Sequence, residues 1–392
     1  MKRIKLAPRH DWQAKADALG FTWHHADGMT YWDEAAAYEF SLAEIEDGIE
    51  APTEELHGLC LDLVDEAVQS ERLMSQLEIP EPMRDYVADS WKRNEPSLYG
   101  RFDFAYDGTG PAKLYEYNAD TPTSVYETAV FQWLWLEDQI AAGVLPEGSD
   151  QFNSLHEQLV ERFRGIFPPD AEGRGGFVHF ASDPDYVEDR QTVRFLEDLA
   201  RQAGLDPKFV AIGDIGLNAD GRFVDDENWL IEAMFKLYPW EQMLRDDYAQ
   251  PLPGADVTVL EPAWKAILSN KGILPLLWER HPGHPNLLEA YFETDPAHVA
   301  LGSSFVRKPL FSREGANVEL VKDGRKSSVL DGGYGEGPWI RQALHAPPKF
   351  DNRYVIVGSW LVGNAPAGIG LREDRGRITR NTSRFLPHYI RD

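Results

Sequence analysis

Two stretches of sequence decide the fold of this chain, Arg101-Phe102-Asp103-Phe104 and Tyr115-Glu116-Tyr117-Asn118-Ala119-Asp120. Both alternate polar and aromatic residues, which is the pattern of β-strands that bury one face. The turn-forming residues 107–112 (DGTGPA) lie between the two stretches, so we expect them to pair as a β-hairpin. The alternation then places four polar side chains on one face of the hairpin: Arg101, Asp103, Glu116 and Asn118.

The polar face of this hairpin has the composition of a cation site. Carboxylate and amide oxygens are the ligands that Mg²⁺ takes in proteins, and Mg²⁺ often keeps substrate phosphates in its shell. An arginine beside such an ion suits charge-assisted phosphate recognition. The pattern alone leaves an alternative open, a solvated face with cross-strand ion pairs.

Composition and charge limit the classes of partner. The chain has 392 residues, is 43% hydrophobic and carries a formal net charge of −26. So acidic a surface argues against nucleic acid or an anionic membrane as the main partner. A polyanion such as ATP would need a local basic pocket and a metal ion, whereas a cationic substrate would be attracted.

The cellular setting is predicted from what the sequence lacks. A single cysteine, Cys60, excludes an internal disulfide and a thiolate metal cluster. The N-terminus has no apolar signal region, and no apolar run reaches 18 residues. We therefore expect a cytoplasmic protein.

The secondary-structure pattern is that of an α/β protein. The first 100 residues have a mostly helical, acidic pattern, and the hydroxyls of residues 121–124 precede a helical run over 125–140 as candidate N-caps. Residues 176–181 and 208–212 are predicted as parallel strands joined by a helix over 188–202. This is a Rossmann-like βαβ unit, although it lacks the GxGxxG sequence that binds dinucleotides.

The last third of the chain holds basic residues that a nucleotide site needs. Lys271 opens a helical run, and Lys308 ends a strand just before the glycine-containing loop 311–316. Backbone N–H groups in a loop of that kind can contact phosphates. Two further strands follow, and Arg372 lies at the polar end of the second.

In their order along the chain, these motifs resemble the synthetase domain of glutathionylspermidine synthases, an ATP-grasp family of carboxylate–amine ligases. The resemblance rests on RFDF, YEYNAD, SNK, VRKPLFSREGANV and GIGLRED, and it spans about residues 100–375. It implies an ATP-grasp fold with a Rossmann-like pre-ATP-grasp lobe and a permuted order of metal-binding motifs. It also implies ATP and Mg²⁺ as cofactors and amide-bond formation through an acyl-phosphate.

The resemblance implies a role for each matching residue. Asp103, Glu116 and Asn118 would hold Mg²⁺, and Arg101 and Arg372 would face the transferred phosphoryl group. The nucleotide would be bound by residues of the last third: Lys271, Lys308, Arg313, Gly315, Gln342 and Leu344. The substrates would be bound by Thr121, Thr123, Glu188 and Asp189, with the acidic pair facing a polyamine.

The resemblance also frames the organisation of the chain. Residues 1–392 would form one catalytic domain without the amidase domain of two-domain relatives. Its approximate lobes would be 1–150 (helices and the metal hairpin), 160–260 (the βαβ unit) and 261–392 (the lid and the nucleotide site). Leu237 stands where the synthases use threonine, so the resemblance does not fix the acid or the amine.

Two alternatives stay open from the sequence. One is a catalytically idle ATP-binding homologue. The other is a carbohydrate-active enzyme that uses Asp103 and Glu116 as an acid–base pair. The lysines and Arg372 have no obvious part in the second alternative.

Overall fold

The predicted hairpin lies within a mixed, mainly antiparallel architecture whose central element is a six-stranded sheet. The computed structural model describes residues 1–26, 28–173, 175–313, 315–329, 332–333, 337–380 and 382–391. The central sheet joins the early hairpin to a late one, edge to edge, through Tyr99–Ala105 and Arg353–Val362. Its strands are, in spatial order, Arg384–Leu386, Ala365–Asp374, Arg353–Val362, Tyr99–Ala105 and Lys113–Asn118, with Lys349–Phe350 paired to Arg353–Val362.

The register of the early hairpin confirms the predicted pairing. Asp103 lies opposite Glu116, and Arg101 lies opposite Asn118. Phe102, buried on the other face, stacks on Tyr117 with the ring centroids 4.0 Å apart. The alternation therefore separates a packed face from a polar face, as the sequence predicts. Tyr115 is the exception, because a register shift after Asp103 leaves it unpaired and it lines the cavity.

A parallel four-stranded sheet confirms the βαβ unit. Its spatial order is Thr258–Leu260, Ala233–Leu237, Phe177–Ser182 and Asp206–Ala211. The helix Val187–Gln202 connects the two strands of the unit and packs against both, because its buried face carries apolar residues such as Leu196.

A third sheet, the lid sheet, is antiparallel and faces the central sheet. Its strands are, in spatial order, Ala290–Phe292, Trp339–Ala343, Phe305–Pro309, Glu319–Lys322 and Arg325–Val329. The loop between Phe305–Pro309 and Glu319–Lys322 is the glycine-containing segment of the sequence motif.

The N-terminal region contains the expected helices, and it also contains strands that the sequence pattern does not predict. Lys2–Lys5 and Ala36–Phe40 form a sheet with His388–Ile390 from the end of the chain. Ala36–Phe40 and His388–Ile390 are about 350 positions apart in sequence, so no local pattern marks their pairing. Two short ribbons also form, His25–Ala26 with Met29–Thr30 and Gly216–Leu217 with Phe223–Val224.

Helices surround these sheets. The α-helices are Trp12–Ala18, Leu42–Ile45, Ala51–Ala67, Glu71–Gln76, Arg84–Lys92, Gln132–Ala141, Leu155–Ile166, Val187–Gln202, Trp240–Met243, Lys265–Leu268 and Ile273–Arg280. The π-helical turns are Glu46–Glu50 and Glu127–Phe131, and the 3₁₀ turns are Glu81–Met83, Ile212–Asp214, Leu252–Gly254 and Pro296–Leu301. Among the described residues, no helix combines the length and the apolar composition that crossing a membrane requires.

Candidate active site

The central sheet and the lid sheet border an open cavity, whose empty space of about 730 Å³ includes solvent at its mouth. A cleft lined by apolar side chains and a few polar groups is the usual form of a small-molecule or cofactor site. Six residues singled out from the sequence line it: Asp103, Glu116, Lys308, Gly315, Gln342 and Leu344. The structure therefore brings part of the predicted metal site and part of the predicted nucleotide site into one cavity.

One wall of the cavity is apolar, and this wall suits a flat aromatic group. Val306, Val318 and Leu320 from the lid sheet side pack with Ile378, and Leu344 lies against them. Leu344 follows Gln342, whose side-chain Nε2 donates to the Leu114 carbonyl at 3.1 Å. The predicted adenine edge thus combines an apolar surface with a fixed amide.

The Asp103 carboxylate is the centre of the polar face. It accepts hydrogen bonds from Arg101 Nε at 2.7 Å, from Arg372 Nη2 at 3.0 Å and from Asn118 Nδ2 at 3.3 Å. Arg101 is 6% exposed and Asp103 is 4% exposed, so this contact lies in a low-dielectric setting. Burial lowers the pKa of Arg101, but the charge of Asp103 outweighs that effect and raises it overall.

Glu116 lies directly opposite Asp103 and is held by lysines. Lys271 Nζ is 3.2 Å from Glu116 Oε2. Burial raises the pKa of Glu116, but the charges of Lys271 and Lys308 outweigh it and lower the pKa to about 2. The Glu116 side chain is therefore an anion throughout the physiological range.

Lys308 is a buried cation with neutral partners. Its Nζ donates to the Tyr115 carbonyl at 2.9 Å and to Gln342 Oε1 at 2.8 Å. Burial lowers the pKa of Lys308 to about 8, although the charge of Glu116 raises it in part. Burial disfavours the charged form of Lys308, and an anionic ligand in the cavity would stabilise that form.

The oxygen donors on the polar face fit Mg²⁺. Asp103 and Glu116 carry carboxylates on directly paired positions of neighbouring strands, where side chains lie within about 5 Å of each other. The Asn118 side-chain amide donates a hydrogen bond to the Asp103 carboxylate. Two carboxylates and an amide suit an ion that keeps phosphate oxygens in its shell. In the part of the chain that the structure describes, no group of three or more His, Cys, Asp or Glu side chains forms an all-protein metal cage.

The loop after the strand Phe305–Pro309 is tied to the site from two sides. Lys271 Nζ donates to the Ser312 carbonyl at 2.7 Å. Arg313 donates to the Thr121 hydroxyl at 2.5 Å and approaches Glu241 to 4.0 Å. Arg313 thus contacts a predicted substrate residue, and it is not among the residues that line the cavity.

The remaining predicted substrate residues lie on the same side as the arginines. The Thr123 carbonyl accepts a hydrogen bond from Arg101 Nη1 at 2.8 Å. Glu188 and Asp189 are half-buried in the first turn of the helix Val187–Gln202. Burial raises the pKa of Tyr31, and the negative charge of Glu188 raises it further.

Sequence reasoning missed residues whose positions depend on the tertiary fold. Tyr115 lines the cavity and places its ring 5.7 Å from Lys308 Nζ. Asp120, the last residue of the second stretch, forms a buried ion pair with Lys236 at 2.6 Å. The position of Asp120 just after a polar strand indicates a functional or structural role for this residue. Nothing in the local sequence marks Lys236 as its partner.

Comparisons with known proteins identify the family of the chain. The family model described as "Glutathionylspermidine synthase preATP-grasp" matches residues 3–391. A protein of Haemophilus influenzae named "Putative acid--amine ligase" is 41% identical over 404 residues, which cover 100% of both chains. The bifunctional glutathionylspermidine synthetase/amidase of Escherichia coli is 28% identical over 96% of this chain and 63% of its own length. The chain belongs to the glutathionylspermidine synthase family, and it is an acid–amine ligase of that family.

A solved structure supports the fold alone. The glutathione synthetase-like effector of Globodera pallida is 11% identical, with a TM-score of 0.52 over 99% of this chain and 98% of that chain. The mixed α/β fold described above is therefore similar to that of glutathione synthetase-like proteins.

Proposed function

We propose that this enzyme joins a carboxylic acid to an amine with ATP and Mg²⁺, through an acyl-phosphate. One observation carries the proposal: a single cavity is lined by two carboxylates, a buried lysine, an amide and an apolar wall. The two carboxylates suit a metal ion, and the lysine suits phosphates. The amide and the apolar wall suit the base of a nucleotide. Two arginines at its polar end suit a transferring phosphoryl group.

The proposed roles follow from the contacts. Asp103, Glu116 and Asn118 would hold Mg²⁺, which would neutralise negative charge on the phosphates. Lys308 and Lys271 would neutralise the nucleotide phosphates, with the segment around Arg313 and Gly315 as the lid. Gln342 and Leu344 would contact the base.

The chemistry needs positioning and charge stabilisation more than covalent help from the protein. Arg101 and Arg372 both donate to Asp103, so their guanidinium groups converge on a carboxylate that lines the cavity. There they would stabilise the γ-phosphoryl group while the acid carboxylate attacks it. They would then bind the phosphate of the acyl-phosphate until the amine displaces it.

We further propose that the fold is an ATP-grasp fold with a permuted order of metal-binding motifs. The lobes would cover about residues 1–150, 160–260 and 261–392, with the parallel sheet as the pre-ATP-grasp lobe. The central sheet takes strands from the first and the last of these regions. Its early strands would supply the metal ligands, and the lid sheet would supply Lys308.

The proposed amine is a polyamine or another diamine. Glu188 and Asp189 add negative charge on the side of the site where the arginines lie. The whole chain has a formal net charge of −26. Thr121 and Thr123 would contact the acid, which the relatives' names suggest to be a glutathione-like peptide. A protonated amine is attracted by such a field, and added salt screens that attraction.

The pKa of Glu116 argues against a carbohydrate-active enzyme. A glycosidase needs one carboxylic acid whose pKa is raised, so that it can protonate the leaving oxygen. Lys271 and Lys308 instead lower the pKa of Glu116 to about 2 despite its burial.

A screen for phosphate release tests the proposal. Pairs of acids and amines, beginning with glutathione and spermidine, are incubated with ATP–Mg²⁺, and the amide is identified by mass spectrometry. The proposal expects amide and phosphate in equal amounts for at least one pair. ATP–Mg²⁺ should also raise the melting temperature. Stabilisation by ATP–Mg²⁺ without turnover of any pair would identify an idle ATP-binding homologue instead.

A further inference from the structure

Glu127 is a buried carboxylate that the roles above leave unassigned. It is 1% exposed and opens the π-helical turn Glu127–Phe131. Trp23 Nε1 and Tyr31 Oη both donate hydrogen bonds to its Oε1 atom, each at 2.8 Å. A carboxylate in such a setting costs free energy, and the fold offsets part of that cost with two neutral donors from a segment about 100 residues away.

The turn that carries Glu127 is fixed against the strands of both arginines. Arg101 donates to the Thr123 carbonyl, four residues before Glu127, at 2.8 Å. The next residue, Thr128, packs against the strand Ala365–Asp374, which carries the second arginine. The approach is so close that a Cβ on the glycine at position 370 would lie 2.7 Å from the Thr128 hydroxyl. Glu127 therefore lies one turn after a segment that contacts Arg101 and next to a residue that contacts the strand of the second arginine.

Tyr31 connects Glu127 to the neighbourhood of Arg372, because the Phe385 N–H donates to the Tyr31 carbonyl at 2.7 Å and Phe385 pairs with Arg372. The Tyr31 hydroxyl is hydrogen-bonded to Glu127, and the phenol is 5% exposed. Burial raises the pKa of Tyr31, the charges of Glu127 and Glu188 raise it further, and the charge of Arg372 lowers it. The phenol therefore lies within electrostatic range of all three groups.

We propose that Glu127 is the proton acceptor for the attacking amine, with Tyr31 as the relay. This inference rests on the acid–amine ligation proposed above. An ammonium group has no lone pair, so it must lose a proton before it can attack the acyl-phosphate. Tyr31 Oη takes a proton from the ammonium nitrogen and passes its own proton to Glu127 Oε1.

The bond changes then balance without another reagent. The nitrogen lone pair forms the C–N bond, the C–O bond to the phosphate group breaks, and phosphate leaves with the electron pair. The second proton of the nitrogen goes to the departing phosphate. Glu127 returns its proton to solvent through Tyr31 when the product leaves.

The electrostatic setting of Glu127 suits a base. Burial raises its pKa, and Trp23, Tyr31 and Arg101 offset only part of that increase. A raised pKa brings a carboxylate closer to that of an ammonium group, which favours proton transfer. The titratable and charged groups around the Glu127–Tyr31 pair are Tyr126, Glu188, Arg101 and Arg372.

A comparison of hydroxylamine with spermidine as the nucleophile distinguishes a proton-accepting role of Glu127 from a structural one. Hydroxylamine is largely neutral at pH 7 and attacks acyl-phosphates without prior deprotonation, whereas spermidine is protonated. Glu127→Gln and Tyr31→Phe are compared with the wild type and with Glu137→Gln, a control on the exposed side of the following helix. Each protein receives ATP–Mg²⁺, the acid identified by the screen, and either hydroxylamine or spermidine.

We expect Glu127→Gln to lower kcat for the spermidine amide by about 10²-fold, the scale of general-base catalysis. Hydroxamate formation should stay within about twofold of the wild type, which also shows that the variant folds. The residual amide rate should rise about tenfold per pH unit, because only amine that is already neutral reacts. Tyr31→Phe should show the same split.

Three results would overturn the assignment. They are an unchanged amide rate in Glu127→Gln, an equal loss of hydroxamate and amide in both variants, and an unchanged pH profile. The result for the wild type distinguishes failure of this assignment from failure of the proposed function. If the wild type makes no hydroxamate, acyl-phosphate formation itself fails, whatever the variants do.

Discussion

Lys308→Met removes a buried ammonium from the candidate nucleotide cavity and keeps its aliphatic stem. In the structure this ammonium has two neutral acceptors, Gln342 Oε1 and the Tyr115 carbonyl, and it faces the anionic Glu116. A charge-assisted hydrogen bond to phosphate is worth about 1.5–3 kcal/mol. The dissociation constant for ATP–Mg²⁺ should therefore rise about 10- to 150-fold.

The pKa of Lys308 adds a pH test. Burial lowers that pKa to about 8, so the free protein loses the positive charge as pH rises through 8. Bound phosphate favours the charged form, so ATP affinity is fully present below pH 8 and declines above it. Between pH 7 and pH 9 the wild-type affinity should fall roughly tenfold, with proton uptake on binding at pH 9. Lys308→Met should lack both effects.

Isothermal titration calorimetry at pH 7 and pH 9, in two buffers of different ionisation enthalpy, measures affinity and proton uptake together. Lys322→Ala, an exposed lysine on the same lid sheet, is the matched control and should change neither quantity. Two results would refute the reasoning: wild-type affinity for ATP in Lys308→Met, or a wild-type affinity that is equal at pH 7 and pH 9.

Three further predictions follow from named contacts. Arg372→Ala should lower kcat at least tenfold with a smaller change in ATP affinity, because the proposed role is in the transition state; an equal loss of both in steady-state and binding assays would contradict it. Glu188→Gln combined with Asp189→Asn should raise the KM of a polyamine several-fold and leave the KM of ATP unchanged; an unchanged amine KM would place the pair outside the amine site. Gly370→Ala should lower the free energy of unfolding by about 1–3 kcal/mol in urea titrations, since its Cβ would lie 2.7 Å from a hydroxyl. Gly148→Ala, whose Cβ would meet nothing within 4 Å, is its control and should leave stability within about 0.5 kcal/mol.

The sequence predicts the hairpin because its signal is local. Alternation over 101–104 and 115–120 separates an aromatic face from a polar face, and the structure has this separation except at Tyr115. The βαβ unit is predictable for the same reason. Its strands and its helix each carry a complete pattern within a short window.

Other features depend on contacts that no window contains. The strand Ala36–Phe40 pairs with residues from the other end of the chain, and its nearly continuous apolar run does not alternate. Ser124 was a candidate N-cap, yet it adopts a left-handed φ of 68° and its Oγ accepts from Arg101. The sequence pattern marks Glu127 only as one residue of a helical run, because its hydrogen-bond donors, Trp23 and Tyr31, are about 100 positions away.

The central claim is that the cavity forms an acyl-phosphate, and isotope transfer from the acid tests it most directly. The acid substrate is labelled with ¹⁸O in its carboxylate, turned over with ATP–Mg²⁺ and the amine, and the released phosphate is analysed by mass spectrometry. The account predicts one ¹⁸O atom in each phosphate, because the carboxylate oxygen that attacks the γ-phosphate leaves with it. Asp103→Asn and Glu116→Gln should release almost no phosphate, since each removes an anionic oxygen from the proposed Mg²⁺ shell. Amide formation with unlabelled phosphate, or near-normal turnover in both variants, would contradict the account.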